Sequence, residues 1–153
     1  MKIYFAGSIR AGREDQGLYH QLIQGLQSHG QVMTEHVGDP SLTAFGDDGP
    51  SDQEIYERDM AWLAKADLVV AEVTIPSLGV GYEIGRAESL DIPVLCLYRE
   101  QDGRKLSAML SGNPQVMLVR YSTVAEALVN VDEFVNANST TLANGDLDAS
   151  GRP

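Results

Sequence analysis

Two acids sit in apolar company. Glu83 lies in "SLGVGYEIGRA" (77–87), among glycines and aliphatic residues just after a strand-like run. Asp59 lies in "EIYERDMAWLAKAD" (54–67), where Ile55, Asp59 and Trp62 fall at i, i+4 and i+7 and so share one face of a helix. A carboxylate on an inner face is costly unless it is paired, hydrogen-bonded or protonated. For Asp59 that leaves an ion pair, with Arg10 or Arg86 as partner, or a functional acid able to give up a proton. Asp52, Glu54 and Glu57 need no such account, because solvation of the outer face explains them.

The residues before Glu83 add a second kind of chemistry. Pro76, Gly79 and Gly81 end the strand and bring backbone N–H groups together at a helix start, and Ser77 is a plausible N-cap. Such a turn can hold an anion. Nearness to the helix N-terminus favours the ionised form of Glu83, as suits attack on an electrophilic carbon. The plain alternative is a helix-terminal acid stabilised by the dipole. Two acids on separate helices that converge on one crevice form the arrangement used to cleave glycosidic bonds, one as nucleophile and one as proton donor, with carboxyls about 5–5.5 Å apart in retaining enzymes.

A third cluster follows the first strand-like run, in "AGSIRAGRED" (6–15). Gly7 and Gly12 have P-loop spacing, but Arg13 and Glu14 stand where Lys and Ser/Thr belong, and no GxGxxG occurs. What remains is a glycine turn with Ser8, Arg10 and Arg13 entering a helix, either an anion or sugar cradle or an ordinary strand–helix turn. Tyr4 lies on the face opposite to Ile3 and Phe5, where its hydroxyl either reaches the crevice or is packed away.

The elements that position these residues read as an alternation. Strand-like runs occur at 2–7, 31–36, 68–73, 93–98 and 116–121. Between them, Leu18, Leu22, Ile23 and Leu26 make one helical stripe, Ile55, Trp62 and Leu63 another, and Val124, Ala127, Leu128 and Val131 a third. The expected fold is a single-domain α/β, Rossmann-like or flavodoxin-like doubly wound parallel sheet of about five strands in order 2-1-3-4-5. Ligands in such sheets collect beyond the carboxyl ends of the strands where the order switches, here after the first and third strands. The Gly/Pro/Asp-rich connection 38–52 could fold over that crevice as a lid.

Bulk properties narrow the function. At 153 residues the chain is expected to be one domain, with residues 1–138 folded and 139–153, poor in large apolar side chains, an unstructured mobile tail. A net charge of −11 argues against general nucleic-acid binding, though not against a small phosphorylated ligand. The single cysteine, Cys96, excludes an intrachain disulfide and reads as a small buried hydrophobe. No run approaches membrane-spanning length, and the expected location is the cytoplasm, or the nucleus in a eukaryote.

"YFAGSIRAGRED", "TEHVGD", "RDMAWLAKADLVVAEVTIPSLGVGYEIGRA", "PVLCLYR" and "GRKLSAML" together resemble the 2'-deoxynucleoside 5'-phosphate N-hydrolases, relatives of the nucleoside 2-deoxyribosyltransferases. The similarity runs from Lys2 to Met109 and more loosely to Val135. It implies a homodimer without metal or cofactor that hydrolyses the N-glycosidic bond of deoxynucleoside monophosphates. On the matched motifs, Glu83 would attack C1' and form a glycosyl ester, Asp59 would assist the leaving base, and Tyr4 would orient Glu83 or the sugar. Gly7, Ser8, Ile9 and Arg10 would line the sugar-phosphate side, and Ser77 and Gly79 would bind the 5'-phosphate. Ser107 would reach the phosphate across the dimer interface with Met109 nearby, and His36 would border the base pocket. Two other functions fit the same residues: a deoxyribosyltransferase that passes the sugar to a second base, and a nucleotide-binding module without turnover.

Overall fold

Five parallel strands form the sheet, in a computed structural model that describes residues 1–8, 15–34, 37, 49–100 and 105–148, with Gln16 and 140–148 as backbone alone. Ile9, Arg10 and His36, and all of the 38–52 connection before Gly49, lie outside the described residues. The elements are β1 (Lys2–Ala6), α1 (Gln16–Gln27), β2 (Gln31–Val32), α2 (Asp52–Leu63) and β3 (Leu68–Glu72). They continue with α3 (Leu78–Glu88), β4 (Val94–Arg99), α4 (Ala108–Ser111), β5 (Val116–Tyr121) and α5 (Val124–Asp148). The strand order is β2-β1-β3-β4-β5, as the alternating pattern predicts.

Side chains alternate across each strand, and the two faces carry separate cores. Ile3, Phe5, Leu68, Val70, Leu95 and Leu97 face the layer made by α1 and α5. Tyr4, Ala6, Val69, Ala71, Val94 and Cys96 face Leu63 of α2 and Val80, Ile84 and Ala87 of α3. Both faces of β3 and β4 are therefore buried, which accounts for their nearly continuous apolar sequence. Fully burying one such aliphatic side chain stabilises the fold by about 1.5–3 kcal/mol.

Two elements differ from the sequence reading. Of the run 31–36, the described residues 31–34 pair as a strand only over Gln31–Val32. Beyond it Met33 N–H still bonds to Ile3 O at 2.9 Å. Then the Thr34 hydroxyl replaces the ladder, accepting from Phe5 N at 2.8 Å and donating to Phe5 O at 2.7 Å. A side chain has taken over the pairing of an edge strand. At the other end, the backbone of α5 stays helical to Asp148, where an unstructured tail from 139 was expected. Among its described side chains, Ala127, Val131, Phe134 and Val135 are buried in the core. Once that buried stripe has nucleated the helix, each further residue adds a bond at little cost, and the Asn138 and Ser139 side chains bond back to Phe134 O and Val135 O.

Among the described residues no helix is long and apolar enough to cross a membrane. Cys96 is fully buried in β4, and burial pushes its thiol up to about 12.

Candidate active site

The strand order reverses between β1 and β3, and there β1 itself, the helix α2 that leads into β3 and the helix α3 that leaves it bring Tyr4, Asp59 and Glu83 together. Tyr4 is 1% exposed, yet its hydroxyl donates to Glu83 Oε1 at 2.6 Å. This bond spans 79 residues of sequence and ties the middle of α3 to β1. Oε2 of Glu83 has no hydrogen-bond partner among the described residues.

Burial pushes the Glu83 carboxyl up to about 7; the Tyr4 hydrogen bond acts against this, and the nearby Asp59 charge adds to it. Helix-dipole stabilisation, expected from sequence to keep this acid readily ionised, is outweighed by desolvation. The Tyr4 phenol is pushed above its ordinary value by burial and by Glu83, so it stays a donor.

Asp59 projects from α2, whose start is fixed by a capping box in which Ser51 and Glu54 bond to each other's backbone N–H. Its partner is its neighbour, with Arg58 Nε donating to Oδ1 at 3.0 Å, rather than Arg86; Arg10, the other partner considered, lies outside the described residues. Arg58 itself lies over the Trp62 ring, 4.9 Å from its centroid. The side chain of Asp59 is only 20% exposed, and Oδ2 has no partner among the described residues. Both acids thus present one tied and one open oxygen.

Ser77 caps α3 as its position predicts, accepting from Val80 N at 3.4 Å. Ser107 caps α4 in the same way, accepting from Met109 N at 3.3 Å. Each cap uses the acceptor side of the hydroxyl and leaves its proton to offer elsewhere. Ser77, Ser107 and Lys105 line one cavity of about 310 Å³ within a single chain. A Cβ on Gly79 would lie 3.7 Å from Ser77 Oγ, which places Gly79 beside that hydroxyl. Met109 is 80% exposed.

At the first loop, a Cβ on Gly7 would meet the Tyr19 and Phe5 rings at 3.1 and 3.2 Å, so any larger residue there needs those rings to shift by a few tenths of an ångström. Ser8 is buried, and its N–H is already committed to the Tyr19 hydroxyl at 3.2 Å. Three further assigned residues, Ile9, Arg10 and His36, lie outside the described residues.

Sequence reasoning passed over Glu72, the last residue of β3, which is fully buried on the opposite face of the sheet. The signal was available in "LVVAEV", where an acid ends an otherwise aliphatic strand. Lys105 was passed over as well.

Residues 3–137 match the nucleoside 2-deoxyribosyltransferase family, and the chain belongs to it. It is 59% identical over 111 residues to a Mus musculus protein named 5-hydroxymethyl-dUMP N-hydrolase, covering 72% of this chain and 64% of that one. A Danio rerio protein of the same name is 51% identical over 112 residues, covering 73% of this chain and 78% of its own. In fold, the chain resembles the solved structure of a Clostridium botulinum CMP N-glycosidase, with a TM-score of 0.58 at 17% identity over 86% of this chain and 99% of that one.

Burial of Glu83 has a measurable consequence for stability. Its folded pKa lies above its ordinary value, so ionisation opposes folding; the cost is absent below about pH 4.5, grows up to about 7 and is full above that. Glu83→Gln should therefore be more stable than wild type at pH 8, by about 3 kcal/mol, and little different at pH 4.5. Urea unfolding at the two pH values checks this.

Proposed function

We propose that this protein hydrolyses the N-glycosidic bond of 2'-deoxynucleoside 5'-monophosphates, giving free base and 2-deoxyribose 5-phosphate. The observation that carries this reading is the part-buried Glu83, held by Tyr4 through one oxygen with the other open. The relatives' names supply the substrate class, a deoxynucleoside monophosphate.

In the first half-reaction, Glu83 Oε2 bonds to C1' as the C1'–N bond breaks and its electron pair leaves with the base. Asp59 delivers a proton to the departing base, which avoids an anionic leaving group; such assistance is typically worth about 10²–10⁴ in rate. Positive charge building at C1' is stabilised by the carboxylate before the bond forms. In the second half, water attacks C1', gives its proton to Asp59, and releases Glu83 as a carboxylate. Tyr4 keeps Oε1 in place throughout.

A carboxyl balanced near 7 is ionised enough at neutral pH to attack and basic enough to be a competent nucleophile. The hydroxyl protons of Ser77 and Ser107, with Gly79 leaving room between, would hold the 5'-phosphate, and that remote binding positions C1'. Gly7, Ser8, Ile9 and Arg10 would line the sugar-phosphate side and His36 the base. A substrate drawn from the free nucleotide pool would suit a cytoplasmic location, or a nuclear one in a eukaryote.

We also propose a homodimer, formed through the apolar face where Leu78 is 97% and Met109 is 80% exposed. Tyr56 and Tyr82 stand beside each other between α2 and α3, half exposed, their hydroxyls 3.2 Å apart. Exposed side chains of this size are what an interface between copies would cover. Ser107 and Met109 of one protomer would then reach the partner's site.

The deciding experiment is product chromatography with 5-hydroxymethyl-dUMP, its unphosphorylated nucleoside and an added acceptor base. Release of free base from the monophosphate, lost by at least about 10³-fold in Glu83→Ala, is the expected outcome. Transfer to the acceptor without phosphate preference would make the protein a deoxyribosyltransferase; binding without turnover would make it a non-catalytic module. The rising limb of kcat/KM should lie near pH 7 and move upward in Tyr4→Phe, because the lost hydrogen bond is the one that lowers the Glu83 pKa. Mixed dimers test the role of Ser107: combining Glu83→Ala with Ser107→Ala chains should restore a wild-type KM in one site per dimer. Failure of restoration would assign Ser107 to its own chain.

A further inference from the structure

Glu72 is fully buried at the end of β3, on the α1/α5 face of the sheet, away from Glu83. A carboxyl there carries a large desolvation cost, and an aliphatic side chain would continue the strand without it. Three donors converge on it instead. The Tyr121 hydroxyl, from the end of β5, donates to Oε1 at 2.9 Å. The Thr74 hydroxyl also donates to Oε1, and Thr74 N–H approaches Oε2 at 3.4 Å.

Thr74 is where the chain leaves the sheet for α3. The last backbone rung there is Val73 N to Leu97 O at 2.9 Å. The next donor on β4, Arg99 N, bonds to Thr74 Oγ1 at 2.8 Å, so a side chain supplies the rung that the departing backbone cannot. Thr74 can accept from Arg99 only while its own proton points elsewhere, and Glu72 is what receives that proton. The guanidinium of Arg99 in turn bonds to Asp15 Oδ1. Asp15 occupies the N-cap position of α1 but makes no cap hydrogen bond with its side chain, because that carboxylate is engaged by Arg99. One turn later Tyr19 accepts the N–H of Ser8.

We propose that Glu72 is a positioning residue, acting through Thr74 to set the exit turn 73–77 and hence the placing of Ser77, and through Arg99 and Asp15 to set the return from the first loop into α1. The network joins the carboxyl ends of β3, β4 and β5 and the start of α1, from the side of the sheet that the reacting groups do not occupy. Buried polar networks of this kind add little net stability over apolar packing but select one geometry. That contrast separates positioning from simple structural support.

The test is steady-state kinetics of Thr74→Val, Thr74→Ser, Glu72→Gln and Ser77→Ala with 5-hydroxymethyl-dUMP, each first shown by circular dichroism to fold. The inference rests on the reading of Ser77 as a phosphate donor, which Ser77→Ala probes separately. Thr74→Val should raise KM about tenfold, change kcat less than about twofold and leave the pH limb set by Glu83 in place, and Thr74→Ser should restore KM. Glu72→Gln keeps an acceptor for Tyr121 and Thr74 but sets an amide donor against Thr74 N–H, and should raise KM about threefold. If Thr74→Val does not fold, Glu72→Gln alone decides. An unchanged KM in Glu72→Gln and in folded Thr74→Val, or an equal loss in kcat and KM for monophosphate and nucleoside alike, overturns the proposal. A normal KM in Ser77→Ala beside a raised one in Thr74→Val would instead remove Ser77 from the phosphate site and leave the positioning of the turn standing.

Discussion

The hydrogen bond from Tyr4 to Glu83 is the constraint around which the rest of the molecule is arranged. It needs β1 in the interior of the sheet, so that Tyr4 is stripped of water, and it needs α3 to begin directly above the end of β3. A parallel sheet with the order β2-β1-β3-β4-β5 satisfies both, because it puts the exits of β1 and β3 side by side. The bond has an electrostatic role as well as a geometric one. Without it, burial alone would hold the acid further toward its neutral form. A donor whose own ionisation is disfavoured by burial is a suitable partner, since it stabilises negative charge without giving up its proton.

Architecture was legible from periodicity because α/β proteins write it twice, once in the strands and again in the helices between them. β5 falls on 116–121 as read, and the stripes beginning at Leu18 and Val124 belong to α1 and α5. Losses occurred where one side chain overrides local pattern. Thr34 ends β2 early by bonding both backbone groups of Phe5, a contact 29 residues distant that no local window contains. The helical extension of α5 past 138 comes from a nucleus already buried upstream, not from the composition of the extension itself.

The site was legible in part, for a related reason. An acid among apolar neighbours is conspicuous on a helix, and Asp59 and Glu83 were singled out as candidates that way. The same oddity at Glu72 was absorbed by a strand whose other residues were all aliphatic or alanine. Its explanation requires Tyr121, Thr74 and Arg99, which come from separate strand ends. The protonation balance of Glu83 could not be read either. Helix position and burial oppose each other there, and only coordinates say how deep the side chain lies.

The solitary cysteine, quiet in all of this chemistry, makes the chain its own reporter. Cys96 lies at the centre of β4 with no exposed surface and a thiol held far from its thiolate form. Reagents that modify sulfur can reach it only when the sheet itself opens, since β3 and β5 pair with β4 along both of its edges. Its rate of labelling is therefore a clock for the deepest opening of the fold, readable without adding a probe and with the acids of the cleft left untouched.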